Sequence, residues 1–242
     1  MFTFSWQNFK KLVLDILFPP ICLACERHLD ENELSLHICA KCLGRLIVND
    51  SLFCVVCKSR LPNNTKICHQ KAAARLAAAV SYDQPIIKKI IWLLKFQDIQ
   101  AVRPAIRDIL TRYLASLDFD FSDYTIIPVP LHPKRLRERG FNQAEIISGF
   151  ASEALRLPVI SDIITRAQHT PPQTKMRDRA QRLTNIIGSF KIASDQAEKI
   201  KSKNLLIVDD VFTTGATTLE VTRVLKSAGA RNIIILTLAK GK

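Results

Sequence analysis

Two adjacent carboxylates and a hydroxyl-rich turn stand close together near the carboxyl end of the chain. Asp209 and Asp210 follow the apolar run 205–208 and precede residues 213–218, TTGATT. The apolar run has the length of a strand buried on both faces, and the apolar spacing after Ala216 predicts a helix. A turn between a strand and a helix can direct several backbone amides at one anion. The pattern therefore predicts a phosphate site.

The two carboxylates indicate what the phosphate belongs to. Asp209 and Asp210 would repel a bare phosphate, but they suit the hydroxyls of a sugar whose phosphate lies further along the turn. We therefore expect a ribose 5-phosphate group. The chain has no G-x-x-x-x-G-K-[ST] or G-x-G-x-x-G run, which excludes two other common phosphate loops. The alternative is a buried strand-turn-helix with two surface aspartates.

A second group of chemically active residues is the set of seven cysteines, which all lie between Cys22 and Cys68. The sequence shows no export signal, so we expect a cytoplasmic, reducing compartment, where C-x-x-C pairs bind zinc more often than they form disulfides. Cys22/Cys25 and Cys39/Cys42 form C-x2-C-x13-C-x2-C, a spacing that predicts one tetrahedral zinc site. Four thiolates leave no open position, which favours a structural zinc ribbon over a catalytic zinc.

The sequence supplies fewer cysteine ligands for a second zinc site. Cys54 and Cys57 form a third C-x-x-C pair, but only Cys68 and the adjacent His69 follow it. Lys71 occupies the position at which a further cysteine would complete a fourth pair. The pairing is open as well, because the second cysteine pair could share a metal with the third. We therefore expect one zinc ion or two.

The first residues of the chain are apolar and basic. Residues 1–18 contain Lys10, Lys11 and Asp15, which interrupt the apolar run well short of the ~20 residues that a membrane span needs. We expect no transmembrane span here and no cleaved secretory signal. The prediction is an amphipathic helix on the protein's own surface, with contact to a membrane surface or a partner as the alternative.

The elements that must position the carboxylates follow from the apolar pattern of residues 72–242. Strand-like and helix-like segments alternate, which predicts an α/β domain with a parallel sheet. Residues 124–130 read as a strand that ends at prolines, and the chain then turns basic. Residues 166–182 are also basic and predict either a solvated surface loop or a cationic lid that closes over an anion.

These motifs together resemble a known family. The run 205–218, LLIVDDVFTTGATT, is similar to the phosphoribosyl pyrophosphate signature of type I phosphoribosyltransferases. With the cysteine-rich amino terminus and 128–145, PVPLHPKRLRERGFNQAE, the chain resembles the ComF family of competence and GntX-like proteins from about residue 19 to 238. The resemblance implies a phosphoribosyltransferase-like parallel sheet with helices on both faces, plus a zinc ribbon. The domains implied are an amphipathic segment at 1–20, the ribbon at 21–71 and the phosphoribosyltransferase-like domain at 72–242.

The resemblance also implies roles for particular residues. Asp209 and Asp210 would be catalytic, facing the positive charge that develops on the ribose. The ribose 5-phosphate loop would comprise Val211, Phe212, Thr213, Thr214, Gly215, Ala216 and Thr217. Pyrophosphate would meet the loop 131–140 and a closing loop at 168–182, with candidate cations Arg135, Arg139, Lys175 and Arg179. Mg2+ would accompany the phosphoribosyl ligand.

Two functions of different class follow. The first is pentosyl transfer from phosphoribosyl pyrophosphate by a protein that acts in DNA uptake and natural transformation. The second is a non-catalytic accessory protein that binds single-stranded DNA and other DNA-uptake proteins, and that keeps the phosphate site for regulation or for DNA ends. The net charge of +13 suits a nucleic-acid partner. The aromatic residues, 7% of the chain, do not interleave with the basic clusters as a stacking surface requires.

Overall fold

The computed structural model describes residues 19–34, 36–64, 68–69, 72–96, 99–166, 186–193 and 196–241. The predicted amphipathic segment lies outside the described residues except for its last two positions. The predicted closing loop, 168–182, lies wholly outside them, and so do Lys175 and Arg179. Among the described residues, no helix has the length and apolar character that crossing a membrane requires.

Seven strands and six α-helices follow one another along the described residues. The strands are β1 (Leu52–Cys54), β2 (Arg75–Ser81), β3 (Tyr124–Pro128), β4 (Ile164–Arg166), β5 (Phe190–Ile192), β6 (Asn204–Phe212) and β7 (Asn232–Lys240). The helices are α1 (Ala40–Gly44), α2 (Pro85–Phe96), α3 (Ile99–Ser116), α4 (Pro133–Arg139), α5 (Gln143–Leu155) and α6 (Ala216–Ser227).

The main sheet has five strands in the order β1-β2-β7-β6-β3, and β4 pairs with β5 in a separate antiparallel hairpin. Strands β2, β7, β6 and β3 are parallel, as predicted. Successive residues of β6 enter opposite cores: Leu206 and Val208 join the core beneath α2, α3 and α5, whereas Leu205 and Ile207 join the core beneath α6 and the hairpin. Helices therefore cover both faces of the sheet.

The cysteine-rich region and the larger domain share this sheet. Strand β1 comes from the predicted ribbon and pairs antiparallel with β2, where Leu52 lies opposite Ala77. The buried Tyr113 hydroxyl joins the two strands a second time: it accepts a hydrogen bond from the Ala78 amide and donates one to the Ser51 carbonyl, both at 3.0 Å. The predicted boundary at residue 71 thus separates two neighbouring strands of one sheet.

Helix α2 is fixed to the ribbon at its amino end. The Gln84 side chain accepts a hydrogen bond from the Ile47 amide and donates one to the Ile47 carbonyl, both at 2.9 Å. Further along the helix, Lys89 pairs with Glu26 of the ribbon at 3.3 Å. The buried side chains of Ile87 and other α2 residues hold the same helix against the sheet.

Candidate functional site

The predicted strand-turn-helix forms the centre of the candidate site. β6 ends at Phe212, and α6 begins at Ala216 after a turn whose last residue, Gly215, has a left-handed backbone with φ of +78°. The Ala216 amide donates to the Thr214 hydroxyl at 3.3 Å, which helps to fix the turn. The first amides of an α-helix have no intrahelical acceptor, so they suit an anion. Residues 213–217 are called the anion turn below.

The carboxylate pair stands immediately before the anion turn. Both side chains are partly buried, and the Asp210 amide donates to Oδ1 of Asp209 at 2.8 Å. Oδ2 of Asp210 lies 2.7 Å from the ammonium of Lys95, which belongs to the last turn of α2. Burial and the neighbouring Asp210 charge raise the pKa of Asp209 to about 7, although the charges of Lys95 and Arg166 act in the opposite direction.

The register of the sheet brings the predicted basic loop to these carboxylates. Pro128 of β3 pairs with Val208 of β6, so the chain leaving β3 passes the edge at which the carboxylates lie. There it forms α4, whose Arg135 and Arg139 are one helical turn apart and half-buried. The predicted pyrophosphate loop is therefore a short helix with two of its cations turned inward. Its remaining basic residues, Lys134 and Arg137, are exposed.

A buried arginine completes the group of cations. Arg166, the last residue of β4, is only 7% exposed, and its guanidinium lies 5.2 Å from the centre of the Phe190 ring. Burial and repulsion by Arg135 lower the pKa of Arg166 to about 10, whereas attraction by Asp209 acts the other way. Arg139 likewise repels Lys95. Four cations, Lys95, Arg135, Arg139 and Arg166, are thus grouped with only two aspartates. The site therefore has more positive than negative charge.

The structure brings together the predicted residues that it describes: Asp209, Asp210, the anion turn, Arg135 and Arg139. Val211 and Phe212, which the sequence placed in the phosphate loop, pack their side chains into the two cores. Sequence reasoning missed two members of the group. These are Lys95, which lies in no motif of the site, and Arg166, which the sequence groups with the basic residues 166–182 that begin with it. Only the three-dimensional placement of α2 and β4 reveals either.

The cysteines form two separate clusters within the described residues. Cys22, Cys25, Cys39 and Cys42 make the first, as the spacing predicted, and the alternative pairing of the second cysteine pair with the third is not found. The sulfurs of Cys25 and Cys39 are 3.8 Å apart. Thiolates at about 2.3 Å from a zinc ion stand about 3.8 Å apart in a tetrahedron, so this cluster fits zinc.

The second cluster consists of Cys54, Cys57, Cys68 and His69. Nδ1 of His69 lies 3.1 Å from the sulfur of Cys68 and 3.4 Å from that of Cys54, and the sulfurs of Cys57 and Cys68 are 3.5 Å apart. A histidine nitrogen therefore stands in the fourth position, the one that the sequence left open. Cys54 is buried in β1, whereas the other three ligand residues are exposed.

Comparison with known protein families finds two matches in different parts of the chain. Residues 145–242 match the phosphoribosyl transferase domain, and residues 13–78 match the double zinc ribbon domain. The first match covers β6, the anion turn and α6, which confirms the predicted fold. The second match and the two clusters together identify the cysteine-rich region as a zinc-binding ribbon.

Individual relatives resemble different lengths of the chain. Competence protein F of Haemophilus influenzae is 37% identical over 117 residues, 48% of this chain and 49% of that protein. Competence protein ComFC of Streptococcus pneumoniae is 28% identical over 141 residues, 56% of each. DNA utilization protein YhgH of Escherichia coli O157:H7 is 27% identical over 231 residues, 92% of this chain and 97% of that protein. The alignment thus spans about half of each competence protein and nearly all of the DNA utilization protein.

Proposed function

We propose that this chain, which belongs to the ComF family of proteins with a phosphoribosyltransferase fold and a zinc ribbon, binds phosphoribosyl pyrophosphate or a related ribose 5-phosphate. One observation carries the proposal: the carboxylate pair directly precedes the anion turn, and Asp209 lies close enough to interact with Arg166, which Arg135 of α4 in turn repels. A ligand that combines a phosphate, hydroxyls and a diphosphate matches this set of groups.

Pentosyl transfer is the reaction that this arrangement supports. The bond from the anomeric carbon to the pyrophosphate oxygen breaks with its electron pair on pyrophosphate, and an acceptor forms the new bond to that carbon. Arg135 and Arg139 would stabilise the charge of the leaving group, and the carboxylate pair would face the positive charge on the ribose. The amides of the anion turn would hold the 5-phosphate in place throughout.

The carboxylate pair also bears on the metal that such a ligand brings. Lys95 already neutralises one oxygen of Asp210, so the pair is poorly suited to an all-protein metal site. It suits an Mg2+ ion that is held mainly by ligand oxygens, the usual arrangement for this ion. When bound, Mg2+ would add positive charge beside the leaving pyrophosphate.

For the ribbon, we propose two zinc ions per chain. The first would be held by the four thiolates of the first cluster, and the second by Cys54, Cys57, Cys68 and Nδ1 of His69. Both would be structural, since each cluster supplies four ligands and leaves no open position. The cytoplasm, where such thiolates stay reduced, is the compartment that we propose for the protein.

The names of the relatives refer to competence and to DNA utilization, and we propose a role in DNA uptake and DNA utilization for this chain. Single-stranded DNA would be a partner in the accessory-protein alternative. The observation that favours a DNA surface is that Lys134 and Arg137 of α4 are exposed, whereas Arg135 and Arg139 are half-buried. The same short helix would then present two cations to the site and two to solvent.

Calorimetry separates the two functions. Phosphoribosyl pyrophosphate with Mg2+ is titrated into the wild-type protein, and single-stranded DNA is titrated separately over a series of salt concentrations. We expect saturable binding of the sugar phosphate, and a pyrophosphate-release assay then tests for turnover. Binding of DNA alone, weakening steeply with salt, would contradict the proposed function and favour the accessory protein.

A further inference from the structure

Lys95 of α2 lies outside every motif of the phosphate site, yet it forms an ion pair with Asp210 at the centre of that site. Nζ of Lys95 lies 2.7 Å from Oδ2 of Asp210, and the two side chains are only 22% and 14% exposed. Burial disfavours the charge of Lys95, yet the pKa of Lys95 is raised, because attraction by Asp210 and Asp209 outweighs burial and the repulsion by Arg139. Lys95 therefore keeps its positive charge beside the carboxylate.

Each aspartate has one oxygen committed to the protein. Oδ1 of Asp209 accepts the Asp210 amide at 2.8 Å, and Oδ2 of Asp210 is held by Lys95. Within the described part of the chain, the other oxygen of each carboxylate has no such partner. One oxygen of each carboxylate is thus left as an acceptor, and the hydroxyls of a ribose are donors that such oxygens can bind.

Anchoring of α2 does not account for the pair. Fully buried Ile87, Ile90 and Leu94 already hold the helix, and Gln84 and Lys89 tie its first half to the ribbon. A partly buried ion pair contributes little net stability, because both charges lose hydration. Its effect is to fix the orientation of the Asp210 carboxylate.

We propose that Lys95 is a positioning residue of the sugar site: by holding one oxygen of Asp210, it presents the other oxygen of that carboxylate to a ribose hydroxyl. The inference rests on the proposed function of the site as a ribose 5-phosphate site. Lys95 does not touch the ligand in this account and acts only through Asp210. The charged groups that act on Lys95 are Asp210 and Asp209 of β6 and Arg139 of α4. Arg135 of α4 and Arg166 of β4 act in turn on Arg139 and Asp209.

The test compares two probes of the same site. Ribose 5-phosphate engages the anion turn and the carboxylates, whereas inorganic phosphate lacks the hydroxyls that would meet the carboxylates. Lys95→Met should lower the affinity for ribose 5-phosphate by at least about tenfold, the usual effect of losing a hydrogen bond to a charged group. It should leave the affinity for inorganic phosphate unchanged. Lys95→Arg should restore most of the loss. Lys89→Met is the matched control, because it removes a salt bridge to the ribbon from the same helix and should affect neither probe.

A double-mutant cycle adds a readout that a merely structural lysine would not change. If Lys95 acts through Asp210, Lys95→Met should have no further effect on ribose 5-phosphate affinity in an Asp210→Asn background. Equal weakening of both probes by Lys95→Met, or ribose 5-phosphate binding as in the wild type, overturns the inference and leaves the proposed function standing. Failure of the wild-type protein to bind ribose 5-phosphate overturns the proposed function and this inference with it.

Discussion

The Phe212 ring lies directly beneath Gly215 in the anion turn. A Cβ atom on Gly215 would stand 2.8 Å from Cε2 of Phe212, closer than real Cβ contacts, and the backbone there has φ of +78°. Because L-residues are strained at that φ, Gly215→Ala should destabilise the protein by about 1–3 kcal/mol. It should also weaken ribose 5-phosphate binding, since the turn must distort. Urea unfolding and calorimetry measure the two effects.

Gly149→Ala is the control for that change. Gly149 lies inside α5, and nothing lies within 4 Å of a Cβ added to it. The substitution should be neutral or should stabilise the protein by up to ~1 kcal/mol, as alanine favours a helix over glycine. If Gly215→Ala behaved like Gly149→Ala, the close fit of the anion turn over Phe212 would not be needed.

Asp209 makes the stability of the protein depend on pH. Burial, with the Asp210 charge, raises its pKa from 3.8 to about 7. Between these values the folded protein keeps a proton that the unfolded chain releases, so this group lowers the stability as pH rises from about 4 to about 7. Asp209→Asn removes this titration. The unfolding free energy of the variant, relative to that of the wild type, should therefore increase by about 1 kcal/mol per pH unit in this window.

Urea unfolding of both proteins at several pH values between 4 and 8 tests this expectation. The gain should level off above pH 7, where Asp209 is ionised in both states. Asp83→Asn, a change in an exposed aspartate before α2, is the control and should show no comparable trend. A constant difference between Asp209→Asn and the wild type across the range would mean that Asp209 is ionised throughout.

The sequence predicts the site residues that are neighbours along the chain, and it misses those that come from distant elements. Asp209, Gly215 and the start of α6 are neighbours in sequence, so the strand, the turn and the helix could be inferred from the spacing alone. Arg135 and Arg139 are candidates only through the resemblance, which places them in a loop and does not predict the helix α4. Lys95 and Arg166 reach the same place from distant elements, and their positions depend on how α2 and β4 pack, which periodicity does not encode.

The sheet shows the same division. Residues 205–208 read correctly as a doubly buried strand because every side chain is apolar. The pairing of Leu52 with Ala77 was not foreseeable, since β1 is three residues long and lies between the cysteines of the ribbon. A short strand has too few positions for alternation to identify it, and its partner is determined by tertiary contacts.

His69 should decide the number of zinc ions. The protein purified without chelator should contain two zinc ions per chain, and His69→Ala should lower the count toward one, whereas His69→Cys should keep two. Because three ligand residues of the second cluster are exposed and two of the first are buried, a chelator should remove the second zinc first. His28→Ala, a change in the ribbon outside both clusters, is the control. Two ions in His69→Ala would exclude the histidine as a necessary ligand.

Tyr113 tests whether the ribbon and the larger domain unfold together. Its buried hydroxyl bridges the Ala78 amide and the Ser51 carbonyl, so Tyr113→Phe leaves two polar groups without that partner. Each such loss costs about 1–3 kcal/mol, and we expect destabilisation of that order in urea unfolding. The transition should remain single, because β1 and β2 belong to one sheet. A separate early transition in the variant would show that the ribbon unfolds on its own.

The two faces of α4 separate the sugar-phosphate function from a DNA surface. Arg135 is half-buried beside Arg139, and burial and that neighbour lower the pKa of Arg135, so a bound polyanion would relieve the repulsion. Arg135→Gln should weaken phosphoribosyl pyrophosphate by about tenfold, as expected for a charge-assisted contact. It should weaken the binding of ribose 5-phosphate much less, because that ligand has no diphosphate.

Arg137→Gln, a change on the exposed face of the same helix, should alter neither affinity, but it should reduce the salt dependence of any DNA binding by about one phosphate contact. If both variants lowered DNA binding alike and neither affected the sugar phosphate, the inward arginines would belong to a nucleic-acid surface.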